Sequence, residues 1–395
     1  MKRFINLICC FLMLIPNIVL ASQTMKVDNK VDESVLASNA KSAILLEANT
    51  GKILYEKNSH EKLAPASMTK IMSMLLIIEA IEKGQLSWNE IITVSERASS
   101  MGGSQILLET GEQMSVEDLF KGVAVASGND AVVALSEAVA GTVEDFVNMM
   151  NEKVKELGLT DTNFKNPHGL DDANHYSSAY DMAFIARELV KHEKVLEYTG
   201  IYEDYLRKGT DREFWLTNTN KLTRFKAGVD GLKTGYTSEA GYCLTATMKK
   251  DNMRLISTIM GEESSTVRNS EISALLDYGY AKYKMVEIIN QSTVVSNEEV
   301  EKGKQKYVEV IPKESSVIVT EKTNKIGEIS YDVEIDKIVS PIKVGDTVGK
   351  LIIKSDNEVI DEVELTVKED IAKANILELY FRYLNDMISG KIMFK

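Results

Sequence analysis

The run Ile71-Met72-Ser73-Met74-Leu75-Leu76-Ile77-Ile78-Glu79-Ala80-Ile81 is apolar at nearly every position, and Gly84 follows it. Good helix formers over that length predict a helix, and a helix apolar on every side is a buried one. The lead-in is Ala64-Pro65-Ala66-Ser67-Met68-Thr69-Lys70. Ser67 is therefore expected at or near the N-terminus of a central helix, with Lys70 one turn on along the same face. Unpaired N–H groups and the positive pole of the helix favour negative charge developing on a serine there. A lysine amine in apolar surroundings can lose its proton near neutral pH. The pair reads as a nucleophile with its base, or as a helix cap with a lysine that snorkels to the surface. Ser-x-x-Lys also occurs at Ser38–Lys41 and Ser59–Lys62, so spacing alone does not choose.

The 395 residues suggest two or three domains. Met1-Lys2-Arg3 followed by the mostly apolar residues 4–20 has the form of a secretory signal, with cleavage expected after Ala21. The alternative is an uncleaved anchor, against which Pro16 and Asn17 argue. Cleavage removes Cys9 and Cys10 and leaves Cys243 alone, so no disulfide is expected within the mature chain. Residues 22–36 read as a flexible polar leader. A formal charge of -13 without a basic block argues against nucleic acid and against charge-driven binding to anionic lipid.

Residues 42–48 and 52–56 flank Asn49-Thr50-Gly51 as a hairpin. A short strand at 90–94 and a glycine-containing loop at 101–105 follow. Ser115 caps a helix with an acidic first turn. That helix meets Ser127-Gly128-Asn129-Asp130, and a second apolar helix covers 131–140. Polar side chains pinned there point into an interior cleft, or form a plain turn in which Asn129 or Asp130 is the cap. A capped helix at 142–157, a loop at 166–172 and one long amphipathic helix at 178–198 come next. Strand-like periods appear at 213–217, 243–248 and 254–259, and a helix at 265–283. Between 217 and 243 lies Asp230-Gly231-Leu232-Lys233-Thr234-Gly235-Tyr236-Thr237. From 285 to 368 short Val/Ile-rich segments alternate with charged turns, the pattern of a small all-β domain.

Ser67-x-x-Lys70, Ser127-Gly128-Asn129 and Lys233-Thr234-Gly235, in this order on an α/β layout, resemble the penicillin-binding and β-lactamase superfamily of serine acyl enzymes. With the signal, the β domain and the last helix, the whole chain resembles the low-molecular-mass penicillin-binding proteins of the D-alanyl-D-alanine carboxypeptidase family. The resemblance implies an α/β fold, an antiparallel sheet flanked by helices, with a second small all-β domain and a C-terminal amphipathic helix. The expected division is 1–21 signal, 22–36 leader, 37–284 peptidase domain, 285–370 small sandwich-like β domain and 371–395 membrane-associating helix.

The resemblance also implies roles. Ser67 attacks the carbonyl of the penultimate D-alanine of a peptidoglycan stem peptide, and Lys70 takes the serine proton. Ser127 bridges Lys70, Lys233 and the leaving amine. Asn129 holds the substrate amide oxygen. Lys233 keeps Lys70 neutral and attracts the anionic substrate, Thr234 binds its terminal carboxylate, and Gly235 lets the strand run close to the ligand. The backbone N–H groups of Ser67 and Tyr236 form the oxyanion hole. β-Lactam antibiotics are expected as covalent inhibitors. His60, His168, His175 and His192 show no metal-ligand spacing, so no metal or cofactor is expected. His168 reads as a loop residue. A β-lactamase of the same fold is one alternative, but the 166–172 loop lacks the Glu-x-x-Leu-Asn motif of its commonest class. An inactive wall-binding protein is the other, yet Ser67, Lys70 and Lys233 are all present.

Beyond 371, an apolar stripe recurs at 376, 377, 380, 381, 384, 387 and 388, while Lys373, Glu378, Arg382, Asp386 and Lys391 interrupt the segment. It is too broken to span a bilayer. It is expected to lie on the outer face of the cytoplasmic membrane; the alternative is that the stripe packs on the β domain.

Overall fold

The computed structural model describes residues 35–389. The hairpin β1 (Ser42–Glu47) and β2 (Ile53–Lys57) is followed by a single 3-10 turn at Ala66–Thr69 and then by α1 (Lys70–Glu82). A ribbon of β3 (Ile91–Thr93) and β4 (Gln113–Ser115) encloses α2 (Glu96–Ser99). Then come α3 (Val116–Ala126), α4 (Asn129–Ala140), α5 (Val143–Glu156), α6 (Ala179–Leu189) and α7 (Lys194–Thr199). A second ribbon pairs β5 (Glu203–Leu206) with β6 (Phe214–Thr217), and α8 (Leu222–Phe225) leads to β7 (Val229–Thr237), β8 (Gly241–Lys250), β9 (Met253–Glu262) and α9 (Ser265–Lys282).

The principal sheet is antiparallel throughout, in the order β2-β1-β9-β8-β7. All six residues of β1 are buried. Ile44 and Leu46 join the core shared with α1 and α3 to α7, whereas Ala43 and Leu45 join the core beneath α9. Alternate side chains of a strand point to opposite faces, so a strand covered on both sides reads as a continuous apolar run. Ile71, Met72, Met74, Leu75 and Ile77 of α1 are all buried. Each contributes about 1.5–3 kcal/mol relative to exposure. That burial drags Lys70, in the first turn, out of water with them.

The expected helix over 178–198 is two helices. Leu189 is buried in α6, and Val195 and Tyr198 are buried in α7. On one straight helix Tyr198 would lie about 180° round from Leu189, so a single rod could not bury both. The chain turns at 190–193, where His192 Nδ1 sits 2.9 Å from the Glu82 carboxylate, and Tyr198 stacks on Trp88. The Lys-Thr-Gly stretch, left unassigned by periodicity, is the edge strand β7.

After α9 the chain enters an all-β region: β10 (Tyr283–Ile289), β11 (Ser296–Glu299), β12 (Tyr307–Pro312), β13 (Ser316–Glu321), β14 (Ile329–Ile335), β15 (Gly349–Ser355) and β16 (Glu358–Val367). β10 pairs with β13, and the others form a sheet in the order β11-β12-β16-β15-β14. Their inner faces enclose a separate core around Val310, Leu351, Ile353 and Leu365.

The final helix, α10 (Ile376–Ile388), opens with a capping box between Asn375 and Glu378. Arg382 Nη2 donates to the carbonyls of Gly303 and Lys304 at 2.7 Å, and Lys306 Nζ lies 2.7 Å from Asp386. The polar face is thus fastened to the β region. The stripe Ile376, Leu377, Tyr380, Phe381, Leu384, Met387 and Ile388 is exposed along its whole length. No helix among the described residues is long and apolar enough to cross a membrane. The expected signal segment, residues 22–34 of the expected leader and residues 390–395 lie outside the described residues.

Candidate active site

Three backbone features assemble the site. Ser67 lies in the 3-10 turn, directly after Ala66, whose φ is +48°. A non-glycine residue in that left-handed region is a strained position held by its surroundings. Ser127 is the other: it ends α3 with φ +64°, and Asn129 then opens α4. β7 passes so close that a Cβ on Gly235 would lie 2.7 Å from the Pro65 carbonyl oxygen. The glycine is therefore needed for the approach of the strand to the turn that carries Ser67. From the other side the 166–172 loop docks through Gly169, where a Cβ would overlap the Ala66 carbonyl, and through Ser73 Oγ donating to Pro167 O at 2.7 Å.

Lys70 does not snorkel: its side chain is fully buried. Its Nζ lies 3.1 Å from Ser67 Oγ, 2.6 Å from Asn129 Oδ1 and 2.8 Å from the His168 carbonyl oxygen. Burial, and then the Lys233 charge, hold the Lys70 ammonium well below the usual lysine range; Asp130 opposes them. Ser67 makes no capping bond. The other Ser-x-x-Lys pairs do not form such a unit, since Ser38 bonds Glu271 and Ser59 bonds Glu56.

Asn129 Nδ2 donates to Gly102 O at 2.7 Å, so both ends of this amide are engaged. Ser127 Oγ is buried with no hydrogen-bond partner, and the expected bridge from it to Lys70 and Lys233 is not formed in this structure. Lys233 is buried on β7, donates to Thr234 O at 3.2 Å, and is pushed down to about 7 by burial and then by Arg268. Thr234 Oγ1 donates to Thr219 Oγ1 at 2.7 Å. Tyr236 follows at the exposed rim, its ring 4.3 Å from that of Tyr242. The arrangement offers a hydroxyl beside a desolvated amine, and a second buried amine on an edge strand.

A family model described as D-alanyl-D-alanine carboxypeptidase matches residues 28–264, and one described as penicillin-binding protein 5, C-terminal domain, matches residues 283–373. The chain is 47% identical over 392 residues to the D-alanyl-D-alanine carboxypeptidase DacF of Bacillus subtilis, covering 99% of this chain and 100% of the relative. The chain belongs to the D-alanyl-D-alanine carboxypeptidase family. Among solved structures, penicillin-binding protein 5 of Haemophilus influenzae matches this carboxypeptidase with a TM-score of 0.70 and 33% identity, over 85% of this chain and 98% of that one. Penicillin-binding protein D2 of Listeria monocytogenes, in its cefotaxime-bound form, matches with a TM-score of 0.56 and 30% identity, over 61% and 97%.

Three residues that bear on Lys70 and Lys233 are not legible from motifs. His168 serves through its main-chain carbonyl, a group every residue carries. Its imidazole Nδ1 accepts from Leu170 N at 3.2 Å, and burial, then Lys70, push it down to about 3. Arg268 on α9 is buried under the sheet and donates to Cys243 O at 3.4 Å. Nothing in its local sequence marks it. Asp130, next to Asn129, reads from sequence only as an alternative cap.

Proposed function

We propose that this D-alanyl-D-alanine carboxypeptidase removes the terminal D-alanine from peptidoglycan stem pentapeptides through an acyl-enzyme on Ser67. The observation that carries the reading is the surroundings of Lys70. A neutral amine has two hydrogens and one lone pair. Asn129 Oδ1 and His168 O are acceptors and take the two hydrogens, which leaves the lone pair for the Ser67 hydroxyl at 3.1 Å. Ser67 Oγ attacks the penultimate carbonyl as its proton passes to Lys70 Nζ. The developing oxyanion is held by the N–H groups of Ser67 and Tyr236, such donors being worth roughly 3–4 kcal/mol each. The proton then travels through Ser127 Oγ to the departing D-alanine amine as the C–N bond breaks. Water repeats the sequence to release the shortened peptide. Thr234 and Lys233 receive the terminal carboxylate, and an anion docked there would return Lys233 to its charged form. Asn129 orients the substrate amide, and Gly235 keeps β7 within reach.

β-Lactams acylate the same serine. The test is incubation with a labelled penicillin, and with a pentapeptide ending in D-Ala-D-Ala. A lasting adduct on Ser67, absent in Ser67→Ala, and a product one alanine lighter are expected. Rapid turnover of the penicillin would make the chain a β-lactamase, and no adduct at all would make it an inactive binder.

The reading extends to location. Residues 1–21 serve as the export signal and 22–36 as the leader. Residues 37–284 carry the peptidase, 285–370 form the β domain that holds α10, and 371–395 are the membrane-associating segment. The enzyme acts outside the cytoplasm, with α10 on the outer face of the membrane. Support comes from the outward direction of the apolar stripe, while Arg382 and Asp386 bind the other face to the β domain.

A further inference from the structure

None of the steps above uses Asp130, which is 1% exposed. Among the described residues its carboxylate accepts only from main-chain N–H groups: Ile106 at 3.1 and 3.0 Å, Leu108 at 3.1 Å and Ala131 at 2.8 Å. The bonds from Ile106 and Leu108 join the first turn of α4 to the stretch before β4. The same stretch presents Gly102 O to Asn129 Nδ2 and Ser104 O to Asn129 N, each at 2.7 Å. Two glycines make room for the clamp. A Cβ on Gly128 would stand 2.9 Å from Asp130 Oδ1, and one on Gly122 would stand 2.9 Å from Ile106 Cδ1. The outer side of the stretch is held independently, by Arg207 and Arg212 donating to the Ile106 and Leu107 carbonyls and to Glu112.

We propose that Asp130 is a positioning residue for acylation: by clamping residues 106–108 to α4 it fixes the Asn129 amide against Lys70. The inference rests on reading Ser67 and Lys70 as the acylating pair. Asn129 reaches Lys70 through its oxygen and Gly102, four residues before the clamped Ile106, through its nitrogen, so a shift of this stretch carries Asn129 with it. The charged and titratable groups facing Lys70 are Lys233 from β7, Asp130 from α4 and His168 from the 166–172 loop. Lys233 favours the neutral amine and Asp130 disfavours it. Removing the Asp130 charge therefore lets Lys70 lose its proton at lower pH.

The test is the second-order rate of acylation by labelled penicillin as a function of pH, on the full chain. Asp130→Asn offers one oxygen where two served, and turns an amide NH2 toward an N–H. It is expected to slow acylation about ten- to a hundredfold and to move the acid limb of the profile to lower pH. A merely structural residue would leave that limb in place. In an Asn129→Ala background the same change should cost about twofold or less, because residues acting through one contact are non-additive. Equal losses in both backgrounds, or an unmoved acid limb, would overturn the proposal. Should Asp130→Asn fail to fold, Asp130→Glu keeps the charge and changes the reach. The limb then stays, the rate falls, and the loss must again shrink beside Asn129→Ala; an additive loss overturns the clamp. A parent enzyme with no adduct on Ser67 would overturn the acylating pair and this inference with it, whereas additive losses on an adduct-forming enzyme overturn this inference alone.

Discussion

Replacing Gly235 by alanine sets two effects against each other. Gly235 does not adopt a positive φ, so its backbone suits alanine, and the substitution should stabilise by about 0.4–1 kcal/mol through the unfolded chain. The new Cβ, however, would lie 2.7 Å from Pro65 O, 3.1 Å from Ala66 Cβ and 3.3 Å from Met68 Cγ. Ordinary contact begins near 3.4 Å, so the deficit against the carbonyl is about 0.7 Å. Pro65 O is main chain and already accepts Met68 N–H at 3.1 Å, so it cannot swing aside. Overpacking of this kind costs about 1–3 kcal/mol, which outweighs the entropic gain and leaves a net loss of about 1–2 kcal/mol. The relief is a retreat of β7 from the turn that carries Ser67. Since a misplacement of about 1 Å can cost a hundredfold in rate, acylation should fall about tenfold or more. Urea unfolding and the penicillin acylation rate measure the two losses. An alanine variant as stable as the parent, acylating at the parent's rate, would refute the idea that this approach couples strand to nucleophile.

Lys70→Arg keeps a charge that does not titrate near neutrality; acylation should fall by about 10²–10⁴-fold, and a near-parental rate would exclude Lys70 as the base. In the parent, acylation should rise with pH as Lys70 gives up its proton, and a flat stopped-flow profile would contradict this. His175 Nδ1 accepts Lys165 N–H and Nε2 lies 2.9 Å from Thr69 Oγ1; burial pushes it down to about 4. Its folded pKa lies below the unfolded value, so the stability it contributes is complete above about pH 6.5 and is lost toward pH 4, by up to about 3 kcal/mol. His168 acts in the same sense, so His175→Gln should flatten part of that slope in urea titrations at pH 7 and 4.5. Removal of 376–395 should abolish co-sedimentation with vesicles while Tm stays within about 2 °C; early melting of the β domain would show that the helix is structural. If α10 docks by apolar burial, binding of the full chain should depend weakly on salt.

Much of the architecture could be read before any coordinates because it rests on local chemistry. Ser115 and Thr142 cap their helices through the N–H groups of Asp118 and Asp145, as short polar residues before an acidic turn lead one to expect. The nearly all-apolar α1 could only be buried, and that burial made Lys70 interesting. The break at 190–193 was not legible, because no glycine or proline marks it; Leu189 and Tyr198 simply have different neighbours. β7 was hidden for a related reason: a strand with buried lysine, threonine and two glycines has no apolar period. The direction of the stripe on α10 was also open, since the helical period gives a face without saying what lies opposite. That was decided by Arg382 and Asp386, which bind the β domain and turn the apolar side outward. Asp130 and Arg268 act through partners far away in sequence, and no spacing rule anticipates them.

β1 has a consequence for how the chain comes into being. It is apolar on both sides and pairs with β2 on one edge and β9 on the other. β9 begins at Met253, about 200 residues after β1, and contacts so distant in sequence close slowly. During synthesis from the N-terminus, the β1-β2 hairpin must wait, with a sticky face on either side and an unpaired edge, for a partner that has not yet been made. Such ribbons recruit one another. The β7-β8-β9 meander closes by short turns and can form at once when it arrives, so seating β1 against it is the late step. A fragment ending before Met253 is therefore an aggregating species rather than a smaller enzyme.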